Sequence, residues 1–196
     1  MMRFWSVSLV VVSLLTLSPR SDGRNAIEQA AISDEYAVYD AVIDDIFVDS
    51  KVTSDVGTRL RVTLLAIHER TFVYPPQGLG PDQNLGSMIA RSLHQETFAD
   101  YRIRNQQPAT LTRLFNIKIE YVLLSSPESF RALYEKQNGR LNSVNLSRVG
   151  FNNAHTEALV YLGHNCGGLC GEGFALFVLK ENGVWKVNKK DVLYEN

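Results

Sequence analysis

Two short runs near the C-terminus limit the fold more than anything else in this chain. In Ala158 to Leu162 (ALVYL) and in Phe174 to Leu179 (FALFVL), both alternating sets of side chains are apolar. Successive side chains of a strand point to opposite faces, so such strands have to be covered on both faces and belong at the centre of a sheet. Their neighbours complete a series. Val144 to Phe151, Glu157 to Gly163, Gly173 to Lys180 and Val184 to Tyr194 read as four consecutive strands, and Asn182-Gly183 is a hairpin signal because both residues tolerate positive φ. The last strand carries Lys186, Asn188 and Lys190 on one side, which makes it peripheral. In the first, the apolar parity slips from Val144 and Leu146 to Val149 and Phe151, and a bulge near Ser147-Arg148 accounts for the slip.

The N-terminal half is patterned for helices. Asn25 to Ala31 suits a helix, and a clearer one is expected from Ser33, an N-cap residue followed by Asp34 and Glu35. Tyr36, Tyr39, Val42/Ile43 and Ile46/Phe47 recur at helical spacing, with Asp40, Asp44 and Asp45 on the other, solvated side. A strand is expected at Arg61 to Ile67, a loop at Tyr74 to Gln83, a second helix at Asn84 to Tyr101 and a strand at Ile117 to Leu124. Ser126-Pro127-Glu128 announces a short helix, since Ser126 can cap it and Pro127 suits its first position. The sum is α+β: N-terminal helices packed on one face of a C-terminal antiparallel meander sheet, by analogy a cystatin-like or NTF2-like cone.

Met1-Met2-Arg3 precedes an uncharged run, Ser6 to Leu17, and a polar break from Ser18 to Gly23. A spanning helix needs roughly 20 apolar residues, so this run fits the core of a signal peptide, with a cut after Gly23. The alternative is an uncleaved anchor, which would be the chain's one link to a membrane. Residues 24–196 then form one domain, and 45% hydrophobic with 21% charged residues suffices for a sizeable core. A formal charge of −1 gives no reason to expect a nucleic-acid partner.

Export bears on the sequence HNCGGLCGEG, residues 164–173, which holds both cysteines. Three readings compete. Cys166 and Cys170 can form a local disulfide, which an oxidising compartment favours and whose small ring would contribute about 2 kcal/mol. His164, Cys166, Cys170 and Glu172 can be set out as zinc ligands, but a structural site brings a second Cys/His pair and none lies near. Or one thiol is a nucleophile with His164 as its base, although the spacing is not Cys-x-x-Cys and no helix follows to lower a thiol pKa. The disulfide is the preferred reading, with no metal and no cofactor expected.

Arg148, at the suspected bulge, is a candidate to grip a carboxylate in a cleft, as His164 is a candidate binding group; pairing of Arg148 with a local acid is the plainer alternative. Asn145-Leu146-Ser147 is a glycosylation sequon lying in an expected strand. No nucleophile-elbow, zinc-protease or calcium-loop motif is present.

The segments Leu146 to Asn152 (LSRVGFN), Ala158 to Tyr161 (ALVY), Cys166 to Gly173 (CGGLCGEG) and Asn182 to Val187 (NGVWKV) resemble those of a group of uncharacterised exported bacterial proteins. That resemblance covers about fifty residues and implies a bacterial, exported origin without implying an activity. The expectation is an exported, non-catalytic binding or structural module with a disulfide-stapled loop. The alternatives are a secreted hydrolase-like enzyme with a cleft near Arg148 and the cysteine loop, and a thiol redox or metal-handling protein.

Overall fold

A computed structural model of the chain describes residues 21–49, 62–73, 89, 91–167 and 170–195. The expected signal segment up to residue 20, the whole 74–83 loop and the start of the expected second helix lie outside the described residues. Helix α1 (Ser21–Asp44) ends in one π-helical turn, Asp45–Asp49. Strand β1 (Leu64–His68), helix α2 (Gln95–Arg104), strand β2 (Glu120–Leu124) and helix α3 (Pro127–Lys136) follow. Strands β3 (Asn142–Leu146), β4 (Gly150–Phe151), β5 (Glu157–Gly167), β6 (Cys170–Glu181) and β7 (Val184–Glu195) complete the chain.

The seven strands form one sheet in the order β2-β1-β3-β5-β6-β7, with β4 also paired to β5. The C-terminal strands are antiparallel to one another as their turns require, whereas β1 runs parallel to both β2 and β3. The architecture is α+β with a mostly antiparallel mixed sheet. The parallel pairs follow from connection length, since strands joined through a helix can return in the same direction and a two-residue turn such as Asn182-Gly183 cannot allow it. Asn182 and Gly183 have φ of 51° and 81°, as that hairpin demands.

Helices cover both faces, not one. On the first face the α1 stripe of Tyr39, Val42, Ile43 and Ile46 packs on Leu65, Ile67, Val144, Val160, Leu162, Leu176 and Val178. On the second, Ile89 and, from α2, Tyr101 pack on Leu159, Ala175 and Phe177, while Phe130, Leu133 and Tyr134 of α3 pack on Ala66, Leu124 and Leu141. The two-sided apolar pattern of β5 and β6 demanded this double cover. Val160, Leu162, Leu176 and Val178 are completely buried, each contributing roughly 1.5–3 kcal/mol of transfer free energy.

Local signals explain most boundaries. The Ser126 Oγ accepts the Ser129 N–H and Pro127 opens α3, as its sequence indicates. Ser33, in contrast, caps nothing: α1 begins at least twelve residues earlier, because Asn25 to Ala31 contains helix formers and no breaker. Asp40 and Asp44 are not spent on solvent alone. Asp40 Oδ1 accepts the Asn116 N–H (2.9 Å), Asp44 Oδ1 the Lys118 N–H (3.0 Å), and the Tyr36 hydroxyl the Thr112 N–H (2.6 Å). Spaced by four, these side chains satisfy the backbone of the segment that leads into β2.

From Leu146 to Gly150 there are four steps, opposite three from Leu162 to Leu159 on β5, so one extra residue sits between β3 and β4. That is the bulge the parity slip calls for. The edge strand β7 also skips a residue at Asn188 and at Leu193 relative to β6. Two bulges and three lysines blunt an edge that could otherwise pair with another chain. Among the described residues no helix is long and apolar enough to cross a membrane.

Candidate functional site

The ladder between β5 and β6 continues past Gly163 and Gly173 through His164 opposite Glu172 and Asn165 opposite Gly171, up to Gly167 opposite Cys170. What reads as a loop in sequence is the end of a long hairpin. Gly163 and Gly173 do not break it, because the rings of Tyr161 and Tyr194 lie over them and supply the cover their missing side chains cannot. The hairpin is closed by the Cys166–Cys170 disulfide, with the Cα atoms 5.3 Å apart. Gly167, at φ +93°, lies so near the Gly139 carbonyl that a Cβ there would stand 2.8 Å from it. The tip therefore rests on the turn after α3, where only glycine fits. Both sulfurs are spent on each other, and among the described residues no three His, Cys, Asp or Glu side chains gather as metal ligands would.

His164 points to the first face, away from that contact. Its Nε2 lies 3.0 Å from Asn142 Oδ1, its ring meets the Phe47 ring edge-on at 4.9 Å, and burial pushes its pKa down to about 4. The imidazole is thus neutral near pH 7, since desolvation by burial disfavours its charged form. Glu172, its cross-strand neighbour, has its pKa raised by burial and by the charge of Glu195 opposite.

Arg148 sits in the bulge. Its Nη2 reaches Glu35 Oε2 at 3.1 Å and its Nε reaches Glu35 Oε1 at 3.4 Å. The same carboxylate, almost buried, accepts from the Val149 N–H (3.2 Å) and the Tyr39 hydroxyl (3.0 Å), with Arg104 Nη1 at 3.7 Å. Asn105 of the α2 C-cap brackets the Arg148 backbone, accepting its N–H and donating to its carbonyl. The bulge aims Arg148 at an acid of α1, near in space but 113 positions away in sequence.

Arg148 and His164 are not brought together. Glu35 and Phe47, their respective neighbours on α1, are twelve residues or about 18 Å apart along the helix. The sequon is closed as well: Ser147, fully buried, donates to the Arg148 carbonyl and accepts the Tyr161 N–H.

One polar constellation escapes sequence reading. Glu157, 2% exposed, accepts the His94 N–H at 2.8 Å and the Thr97 hydroxyl at 2.5 Å, and its second oxygen lies 2.5 Å from His94 Nδ1. The hydrogen bond and charge of Glu157 raise the pKa of His94, whose side chain is otherwise exposed. A neighbouring tie joins Lys189 Nζ to the Ser92 hydroxyl. The available signal was parity: Glu157 shares its inward side with Leu159 and Tyr161, and a carboxylate there needs partners. On the other side of the same turn Asp34 accepts from Lys180 (2.7 Å) and Trp185 (3.2 Å), with His155 at 3.2 Å.

The class these features define is a disulfide-bearing α+β protein with a helix-covered mixed sheet. Compared with protein-family models, with curated proteins and with solved structures, the chain matches none.

Proposed function

We propose that the chain is an exported bacterial binding or structural module without catalytic activity, its β5–β6 hairpin held as a fixed clasp. The observation that carries this reading is the disulfide: it consumes both thiols and stands at a tip already seated on the α3 turn. The export half leans on the same bond, which persists in oxidising compartments, and on the leader-like run from Ser6 to Leu17. The polar side chains that invited chemistry support the non-catalytic half, since Arg148 is engaged by Glu35 and His164 by Asn142.

Intact-mass analysis of the mature secreted protein tests both halves. The expected mass begins near Arg24 and is two hydrogens short of the dithiol. Two free thiols, or a chain retained in the cytosol, would overturn the reading.

A second reading, a secreted hydrolase, is favoured by the Glu157–His94 pair, in which a buried carboxylate orients an exposed imidazole as general bases require. Ester or glycoside turnover abolished in His94→Asn, with unchanged melting, would support it.

A further inference from the structure

The sheet ends in β2 on one side and β7 on the other, and only one of these edges is guarded. β7 is interrupted by two bulges and carries Lys186, Lys189 and Lys190. β2 has none of these devices. Its register with β1 is unbroken from Glu120 to Leu124, and it contains no lysine, proline or glycine. Its one charged residue, Glu120, stands at the end of the strand.

The ladder fixes which backbone groups of β2 are left over. Leu124 opposes His68 and its carbonyl accepts the Glu69 N–H, so Leu124 turns its backbone groups toward β1. That direction alternates along a strand: Val122 also bonds to β1, while Tyr121 and Leu123 turn their N–H and C=O outward. These outward groups have no partner among the described residues. The side chains beside them are apolar on both faces. Tyr121 and Leu123 border the α1 cluster, Val122 and Leu124 belong with the α3 cluster, and all but Leu124 are only half-buried. The Tyr121 ring meets Phe115 edge-on at 5.5 Å, so the strand is held in shape before any partner arrives.

Outward N–H and C=O groups flanked by apolar side chains call for another strand. The residues of β2 specify which one. A two-fold axis beside Val122 sets Tyr121 opposite Leu123 of a second copy, and Leu123 opposite its Tyr121. Every outward N–H then meets an outward C=O. On the α1 side an aromatic ring faces a leucine, and on the other side Val122 meets Val122. Glu120 falls opposite Leu124, so no like charges are opposed. We propose that β2 is the interface of a homodimer, two copies joining edge to edge, antiparallel through β2, into one continuous sheet. With a guarded β7 at each outer end, assembly stops at two copies. The inference goes beyond the binding-module reading and does not depend on it.

The test is sedimentation velocity of the full mature protein, joined to amide hydrogen exchange by NMR, at about 30 µM and about 1 mM. A shift from monomer to dimer is expected, with the Tyr121 and Leu123 amides exchanging about tenfold more slowly at the higher concentration. The Val122 amide, bonded to β1, should be slow at both. Val122→Lys sets two ammonium groups face to face across the axis, and Val122→Glu two carboxylates. Each variant alone should sediment as a monomer and their equal mixture as a dimer, with thermal melting to confirm that both fold. A monomer at about 1 mM, beyond which association is not specific, overturns the proposal. So do Tyr121 and Leu123 amides already slow in the monomer, because the chain then covers its own edge. A dimer that both variants retain places the interface elsewhere and overturns it too. If neither variant folds, the concentration dependence of the parent decides alone. A monomer with its disulfide intact leaves the exported-module reading standing, whereas free thiols in a dimer sink that reading and spare this one.

Discussion

The C-terminal half of α1, from Glu35 to Phe47 in its closing π-helical turn, is fastened to the same sheet at its two ends by opposite means. At the Glu35 end a nearly buried carboxylate collects Arg148, Arg104, Tyr39 and the Val149 amide, so charge is brought inside with a full set of partners. At the Phe47 end the sheet offers His164, whose single hydrogen bond to Asn142 leaves it neutral under an aromatic edge. A lone polar residue in an apolar strand is therefore not one kind of object. At Glu35 several donors share one acceptor; at His164, where one partner exists, burial holds the imidazole neutral near pH 7.

Removing the centre of the charged end should have the largest effect. Glu35→Ala leaves Arg148, Tyr39 and the Val149 N–H without their acceptor, and is expected to cost about 2–4 kcal/mol in urea denaturation, below the loss for a fully buried pair because Arg148 is partly exposed. A cost under about 1 kcal/mol would mean that the two ends differ in appearance only. Next comes Gly150→Ala. A methyl group there runs into the Tyr101 backbone, so α2 must shift, and about 3 kcal/mol is expected by the same measurement. If this exceeds Glu35→Ala, close packing rather than charge holds that end.

The hairpin tip, on the side of His164, tests the covalent fastening. Replacing Cys166 and Cys170 by serine should lower stability by about 2 kcal/mol, the loop-closure value for so small a ring, while leaving the fold intact by circular dichroism. A much larger loss would show that the contact between Gly167 and the α3 turn depends on the bond.

How far the sequence reaches follows the same division. Features set by neighbours in the chain were legible: the Ser126 cap, the Asn182-Gly183 turn, the bulge before Gly150 and the cysteine pairing. Double cover of β5 and β6 was written in their composition, though the expectation of helices on one face ignored it. Features set by distant partners were not legible. Nothing local announces that Asp40 holds the Asn116 amide, that Glu157 anchors His94, or that β1 lies parallel to β3, since each needs an element from elsewhere in the chain. Arg148 was visible as a residue, but its partner lies 113 positions away.

The smallest effect is the most diagnostic, because two groups on α1's side of the sheet titrate in opposition. His164 has its pKa depressed from 6.5 to about 4, so the stability it allows is present above 6.5 and is lost as pH falls toward 4. Asp40 has its pKa raised from 3.8 to about 6 by burial, so its share is present below 3.8 and is lost as pH rises toward 6. Between pH 4 and 6 the two partly cancel, and a modest net slope is expected. Substitution separates them. His164→Gln, which keeps a donor for Asn142, should make the protein gain stability on acidification from pH 7 to 5, with Asp40 left to act alone. Asp40→Asn, which keeps an acceptor for Asn116, should make it lose stability more steeply than the parent over the same interval. Equal slopes in the parent and both variants would mean that neither His164 nor Asp40 is a buried titrating group, and the neutral fastening at His164 would lose its physical basis.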